Sequence, residues 1–124
     1  MGWSAISLDG GAGGGDGLTW STLTTNATLE GDHGYYINSA GLLTVTLPAT
    51  MAKDHRIKLI DINTGGFLLA QRAGQSIVFE AVTTTVGVGG SLASTTTGQV
   101  LEIQCKVADT GFQVLDAVGA FTIV

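Results

Sequence analysis

Arg56-Ile57-Lys58-Leu59-Ile60-Asp61-Ile62-Asn63-Thr64-Gly65-Gly66-Phe67-Leu68-Leu69-Ala70-Gln71 is the stretch that decides the fold. Ile57, Leu59 and Asp61 alternate against Lys58, Ile60 and Ile62, which is the two-residue period of a β-strand. Asn63-Thr64-Gly65-Gly66 supplies the residues of a tight turn, and Phe67–Gln71 reads as the return strand. Both strands are apolar on both faces. A two-sheet sandwich normally wets its outer faces. The outer side of these strands therefore meets something: a second subunit, or long loops of the same chain.

The same period runs outward in both directions. Upstream, Leu18–Leu23 alternates with Leu18, Trp20 and Thr22 on one face. Tyr35-Tyr36-Ile37 is a short strand opened by Gly34, and Leu43–Leu47 alternates up to Pro48, the only proline. Residues 49–55 read as a loop or one helical turn. Downstream, Ala73-Gly74-Gln75 is a turn and Ser76–Ala81 a strand. Thr83–Thr97 is a long Thr- and Gly-rich loop with at most a weak strand. Val100–Val107 and Phe112–Asp116 form a hairpin around Ala108-Asp109-Thr110-Gly111, and Phe121–Val124 is the last strand. No segment keeps a 3.6-residue period with helix caps. The expected fold is all-β, a compact sandwich or small barrel.

Residues 9–17 read DGGAGGGDG, the composition of a flexible tether. They divide the chain into an N-terminal arm with its Gly-rich tether, residues 1–17, and a β domain, residues 18–124. The arm carries Trp3, Ile6 and Leu8, too few apolar residues for a core. A short apolar peptide on a tether reads as an arm that docks on another protein; a disordered start is the alternative.

Charge is the scarcest ingredient. Only 12% of residues are charged, against about 25% in ordinary soluble domains. Mean hydropathy is +0.38, yet no run approaches the roughly 20 apolar residues of a membrane span. A small β-rich chain with so little charge is expected to hide surface against copies of itself. Net charge is −5 with five Lys and Arg, so phosphate tracking and nucleic-acid binding are not expected. The chain of 124 residues is long enough for one core without staples.

The sequence offers little for catalysis. His33 and His55 each follow an aspartate, as Asp32-His33 and Asp54-His55, but no G-x-S-x-G elbow accompanies them. Both pairs sit beside turn signals and read as solvated turn residues. Two His and one Cys lack zinc-ligand spacing. GAGGGDGLT at residues 11–19 is one glycine short of a calcium-binding repeat and occurs once. No lysine follows the glycine run to make a phosphate loop, and nothing marks Glu30, Glu80 or Glu102 as acid or base. Cys105, the sole cysteine, lies in an alternating run with Leu101, Ile103 and Val107 and reads as a buried structural thiol. The expectation is a protein with no enzymatic activity, no cofactor and no metal. No basic region precedes the first apolar residues, so no secretory signal is read.

Adjacent strand residues face opposite ways, so one of Tyr35 and Tyr36 is expected to be exposed. It either anchors a partner or closes the sheet.

Several runs in order resemble a known module. They are Gly34-Tyr35-Tyr36-Ile37-Asn38, Thr44-Val45-Thr46-Leu47-Pro48-Ala49, Gly65-Gly66-Phe67, Ala70-Gln71, and Ala73-Gly74-Gln75-Ser76-Ile77. Gly89-Gly90-Ser91-Leu92-Ala93-Ser94-Thr95 and Val100–Cys105 continue the pattern. Together, over about residues 18–124, they resemble a small β module of phage tail-fibre and related virion surface proteins. That module often has Trp where this chain has Phe67. The resemblance implies a homotrimer on the virion surface, made in the host cytoplasm and acting as a capsid decoration, head spike or fibre module. Its partners would be itself and other virion proteins, reached through the arm. The alternative is a tail-fibre tip that binds a host receptor or glycan through Tyr35-Tyr36 and the 83–97 loop.

Overall fold

A computed structural model describes residues 17–124. The arm residues Trp3, Ile6 and Leu8, and nearly all of the tether, lie outside the described residues. The described residues form twelve strands: β1 Thr19–Leu23, β2 Ala27–Thr28, β3 His33–Ile37, β4 Leu43–Thr46, β5 Arg56–Asp61 and β6 Phe67–Ala70, then β7 Ser76–Phe79, β8 Val82–Thr83, β9 Ser91–Ser94, β10 Val100–Val107, β11 Gly111–Val118 and β12 Phe121–Ile123. They make a seven-stranded sheet in the order β1-β3-β5-β10-β11-β7-β8 and a five-stranded sheet in the order β12-β9-β6-β4-β2. The expected all-β, sandwich-like architecture is what the chain adopts.

The route through those sheets differs from a run of hairpins. The first six strands alternate between the sheets, and neighbours within each sheet run parallel: β1 with β3, β3 with β5, β2 with β4, β4 with β6. The chain thus winds as three flattened coils. The expected hairpin over residues 56–71 is therefore corrected: β5 and β6 lie in different sheets, and Asn63–Gly66 is an arch between them. Glycine at positive φ serves an arch as well as a turn, and Gly66 has φ 70°. A side chain at Gly65 would put its Cβ 2.1 Å from the Gly41 carbonyl oxygen. The arch thus packs directly on the β3–β4 connection, and Asn63 Nδ2 donates to Asn38 Oδ1 at 3.0 Å across the same junction.

The second half closes the sheets differently. The β10–β11 hairpin is present as expected, with a bulge near Glu102. It inserts beside β5, and β7 joins its far side in parallel. Ser91–Ser94, within the stretch read as a loop, is a full strand between β6 and β12, and its Leu92 is wholly buried.

The core follows the two-residue period. Ile57 and Leu59 of β5, Val45 of β4, Phe67 and Leu69 of β6, Ile103 and Cys105 of β10, and Phe112 of β11 all point inward and are buried. Truncating a buried phenylalanine costs about 3–5 kcal/mol, so Phe67 and Phe112 are the costliest single losses. Asp61 also points inward. It is 2% exposed, its Oδ1 accepts from the Asn63 N–H at 3.3 Å, and its Oδ2 has no hydrogen-bond partner among the described residues.

Three buried glutamines satisfy loop backbone that would otherwise be orphaned. Gln71 Nε2 donates to the carbonyls of Gln75, Thr85 and Gly87, while its Oε1 accepts from the Thr84 hydroxyl. Gln75 Nε2 donates to Pro48 and Asp109. Gln99 Oε1 accepts from the Thr95 and Thr96 N–H groups, and its Nε2 donates to Ala120.

Candidate binding surface

Register sets the composition of each outer face. Across the larger sheet, Thr22, Tyr36, Ile60, Val100 and Val118 occupy one cross-strand row spanning β1, β3, β5, β10 and β11. All five face away from the core. Tyr36 is 37% exposed and Val118 53%. Ile62, just past β5, is half exposed on the same side, and so is Leu115, the extra residue of the β11 bulge. The adjacent row is polar: Lys58 of β5 lies beside Glu102 of β10, which lies beside Asp116 of β11. Arg56 Nη1 donates to Glu102 Oε2 at 3.2 Å. The charge on this face is gathered to one side of an apolar band that crosses β3, β5, β10 and β11 and ends at Thr22 of β1.

The β1–β3 end of the band is aromatic. Trp20 pairs in register with Gly34. A Cβ at Gly34 would fall 2.4–2.6 Å from three atoms of the indole. The indole therefore lies directly over the bare backbone of β3, a position only glycine permits. Tyr36 sits beside it, with ring centroids 5.0 Å apart and planes inclined by 35°. Thr22 is exposed alongside, and Lys58 occupies the register position next to Gly34.

Of the two tyrosines read as possible receptor contacts, only Tyr36 reaches the surface. Tyr35 is buried, its hydroxyl accepts from the Glu30 N–H at 2.9 Å, and its ring stacks on His33. Burial pushes the Tyr35 phenol above its ordinary value, aided by the Glu30 carboxylate. Leu18, which alternation places with Trp20 and Thr22, is buried instead. It precedes β1 and follows Gly17, whose φ of 78° turns the chain before the strand starts.

The smaller sheet presents a different outer face. Thr28, Thr46, Ala70 and Ser91 form one outer row, and Thr44, Leu68, Ala93 and Thr122 the next. An open cleft of about 400 Å³ lies at its β2–β4 edge, lined by Asn26, Ala27, Thr28, Thr44 and Thr46.

His55 is exposed beside the turn at Asp54, as read; His33 is corrected, since it opens strand β3 and is half-buried. Asp32 and Asp54 adopt φ of 57° and 78°. His55 pairs across the fold with Asp32, Nε2 to Oδ2 3.5 Å, both about half exposed. His33 Nδ1 lies 2.8 Å from the Gly31 carbonyl. Asp32 also works structurally, since its Oδ1 accepts from the Arg56 N–H at 3.0 Å. Glu102 is ion-paired with Arg56, and Glu80 lies in the turn between β7 and β8 with φ 55°. Among the described residues no cluster of three His, Cys, Asp or Glu side chains could hold a metal, and no helix is long and apolar enough to cross a membrane. Cys105 is buried, its Sγ 3.4 and 3.2 Å from the Met51 and Val107 carbonyl oxygens, and burial raises its pKa.

Two parts of this surface escape a reading of single strands. Gly34 signals a strand start, and its role as a seat for Trp20 emerges only from β1–β3 pairing. The row from Thr22 to Val118 needs the register of five strands, three of them distant in sequence. No known protein family matches the chain, and no curated protein matches it in sequence.

Proposed function

We propose that this chain is a non-enzymatic surface protein of a bacteriophage particle, a capsid decoration, head spike or fibre module. It works as a homotrimer and joins the particle through Trp3, Ile6 and Leu8 of its N-terminal arm. The observation that carries the self-association is the aliphatic part of the outer band, Ile60, Ile62, Val100, Leu115 and Val118. A protein with few charges leaves these residues facing outward on its larger sheet. Burying apolar area contributes roughly 25 cal/mol per Å², and obligate interfaces commonly exceed about 2,000 Å². The phage setting and the threefold copy number come from the likeness of residues 18–124 to virion modules.

Light scattering of the purified chain tests the first part: a mass of three chains is expected, and a monodisperse monomer overturns it. Deletion of residues 1–17 tests the second. The truncated protein should stay folded and oligomeric yet fail to join purified particles; normal incorporation removes the anchor.

A second reading, a tail-fibre tip that binds a host glycan, is favoured by the half-buried Trp20 beside the exposed Tyr36 at the rim of the same face.

A further inference from the structure

We infer that Trp20 and Tyr36 form a stacking platform for a neutral pyranose sugar, with Gly34 as the element that builds it. This inference rests on the glycan-binding reading, and on neither the particle nor the trimer.

The geometry begins with the backbone. The close approach of the indole to Gly34 means that one ring face is taken up by β3. Trp20 is nonetheless only half-buried and Tyr36 is 37% exposed, so the pair keeps open surface. With planes inclined by 35° and centroids 5.0 Å apart, the two rings adjoin as a tilted pair, neither a closed stack nor an edge-to-face pair. Adjoining electron-rich rings suit a ligand ring that offers a flat patch of weakly positive C–H groups. An equatorially substituted pyranose is such a ring, apolar on its faces and hydroxylated at its rim.

The surroundings meet the rim. The Tyr36 hydroxyl, the exposed Thr22 hydroxyl and the ammonium of Lys58, on the same face in register with Gly34, are the polar groups nearest in the sheet. These are hydrogen-bonding groups around an apolar floor, the usual composition of a small-ligand site. Lys58 lies in register beside Glu102, which offsets its charge locally, so the site suits a neutral sugar better than an acidic one. The platform also lies on the edge strand of its sheet. A long polysaccharide can run past it with a single residue seated.

The test uses the full chain with Trp3→Phe, so that Trp20 is the only indole. Cellohexaose, chitohexaose and maltohexaose are titrated, with tryptophan fluorescence and saturation-transfer NMR as readouts. At least one should bind, with transfer to C–H protons of its sugar ring. Tyr36→Ala should weaken that binding about tenfold or more. Gly34→Ala keeps both aromatics but forces the indole off the strand, and should weaken it comparably. The circular-dichroism spectrum should stay unchanged in the Tyr36 variant, because that side chain is outside the core. Binding that survives both substitutions overturns the platform and leaves the glycan reading standing at another site. No binding of any of the three by the parent overturns both.

Discussion

The two outer faces of this molecule answer the same shortage of charge in opposite ways. On the smaller sheet, Thr28, Thr44, Thr46, Ser91 and Thr122 surround Ala70, Ala93 and two larger apolar residues, Leu68 and, just past the chain's last strand, Val124. Hydroxyls and methyls alternate there, and water can cover the face without any ion. On the larger sheet, one outer row is Thr22, Tyr36, Ile60, Val100 and Val118, and the next is Trp20, Gly34, Lys58, Glu102 and Asp116, so four large apolar side chains stand together in one row and the charge in the other. Low charge is thus not in itself a reason to associate. What distinguishes the two faces is how many large apolar residues stand together in the outward register.

The sharpest way to break that contrast is to place charge on each face in turn. If the larger face carries the proposed self-association, Ile60→Lys with Val118→Lys should give monomers in sedimentation velocity, since an unpaired buried ammonium costs several kcal/mol. Thr44→Lys with Thr122→Lys on the other face should leave the mass unchanged. Equal effects on both faces would end the distinction.

A smaller effect probes what secures the hydroxyl-bearing sheet at its edge. Gln99→Ala orphans the Thr95 and Thr96 N–H groups and the Ala120 carbonyl. It should cost about 1–3 kcal/mol and strip hydrogen-exchange protection from β12 and the end of β9. Amides of β3 and β5 should keep theirs.

Smaller again is Asp61→Asn, on the inner side of the larger sheet. It replaces a buried carboxylate whose Oδ2 lacks a partner, and should raise stability by about 1 kcal/mol in urea denaturation. A loss would mean that Oδ2 has a partner.

The smallest effect is a pH dependence confined to the larger sheet. Burial raises the pKa of both Tyr35 and Cys105. The folded state therefore holds these protons more tightly than the unfolded chain. Their contribution is fully present below the ordinary values of 9.0 and 10.0 and is lost as pH rises through the raised folded ones. Melting temperature should fall above pH 9–10, less steeply in Cys105→Ala. A fall that begins near neutrality would have another source.

Much of the fold was legible because period two is a local signal. Leu43–Leu47, Arg56–Ile62 and Val100–Cys105 declare their faces within a few residues, whereas Val107, read with Leu101, Ile103 and Cys105, is exposed beyond a register shift. Their connections do not. Asn63-Thr64-Gly65-Gly66 has the chemistry of a hairpin turn, and the same positive-φ glycine lets the chain cross to the other sheet. Which of the two occurs depends on packing against Gly41, a distant residue. The β9 strand was hidden because Ser91-Leu92-Ala93-Ser94 carries only one large apolar side chain. Gln71, Gln75 and Gln99 stand beside turn residues, where a polar side chain normally faces water, so nothing local marks them as buried. At the candidate site the exposure of one tyrosine followed from strand alternation. Trp20 on Gly34 required knowing that β1 and β3 are parallel neighbours.

The placement of β10–β11 between β5 and β7 sets a timetable for a chain emerging from the ribosome. The first three coils can stack in order as they are made, each on the one before. β5 is complete at Asp61, but its second neighbour begins only at Val100. Until then the newest edge of the growing sheet has open N–H and C=O groups, a template for any strand within reach. On a polysome the nearest such strand is β10 of a sister chain. Exchange of that hairpin between copies would build the same pairings between chains that the finished molecule makes within one.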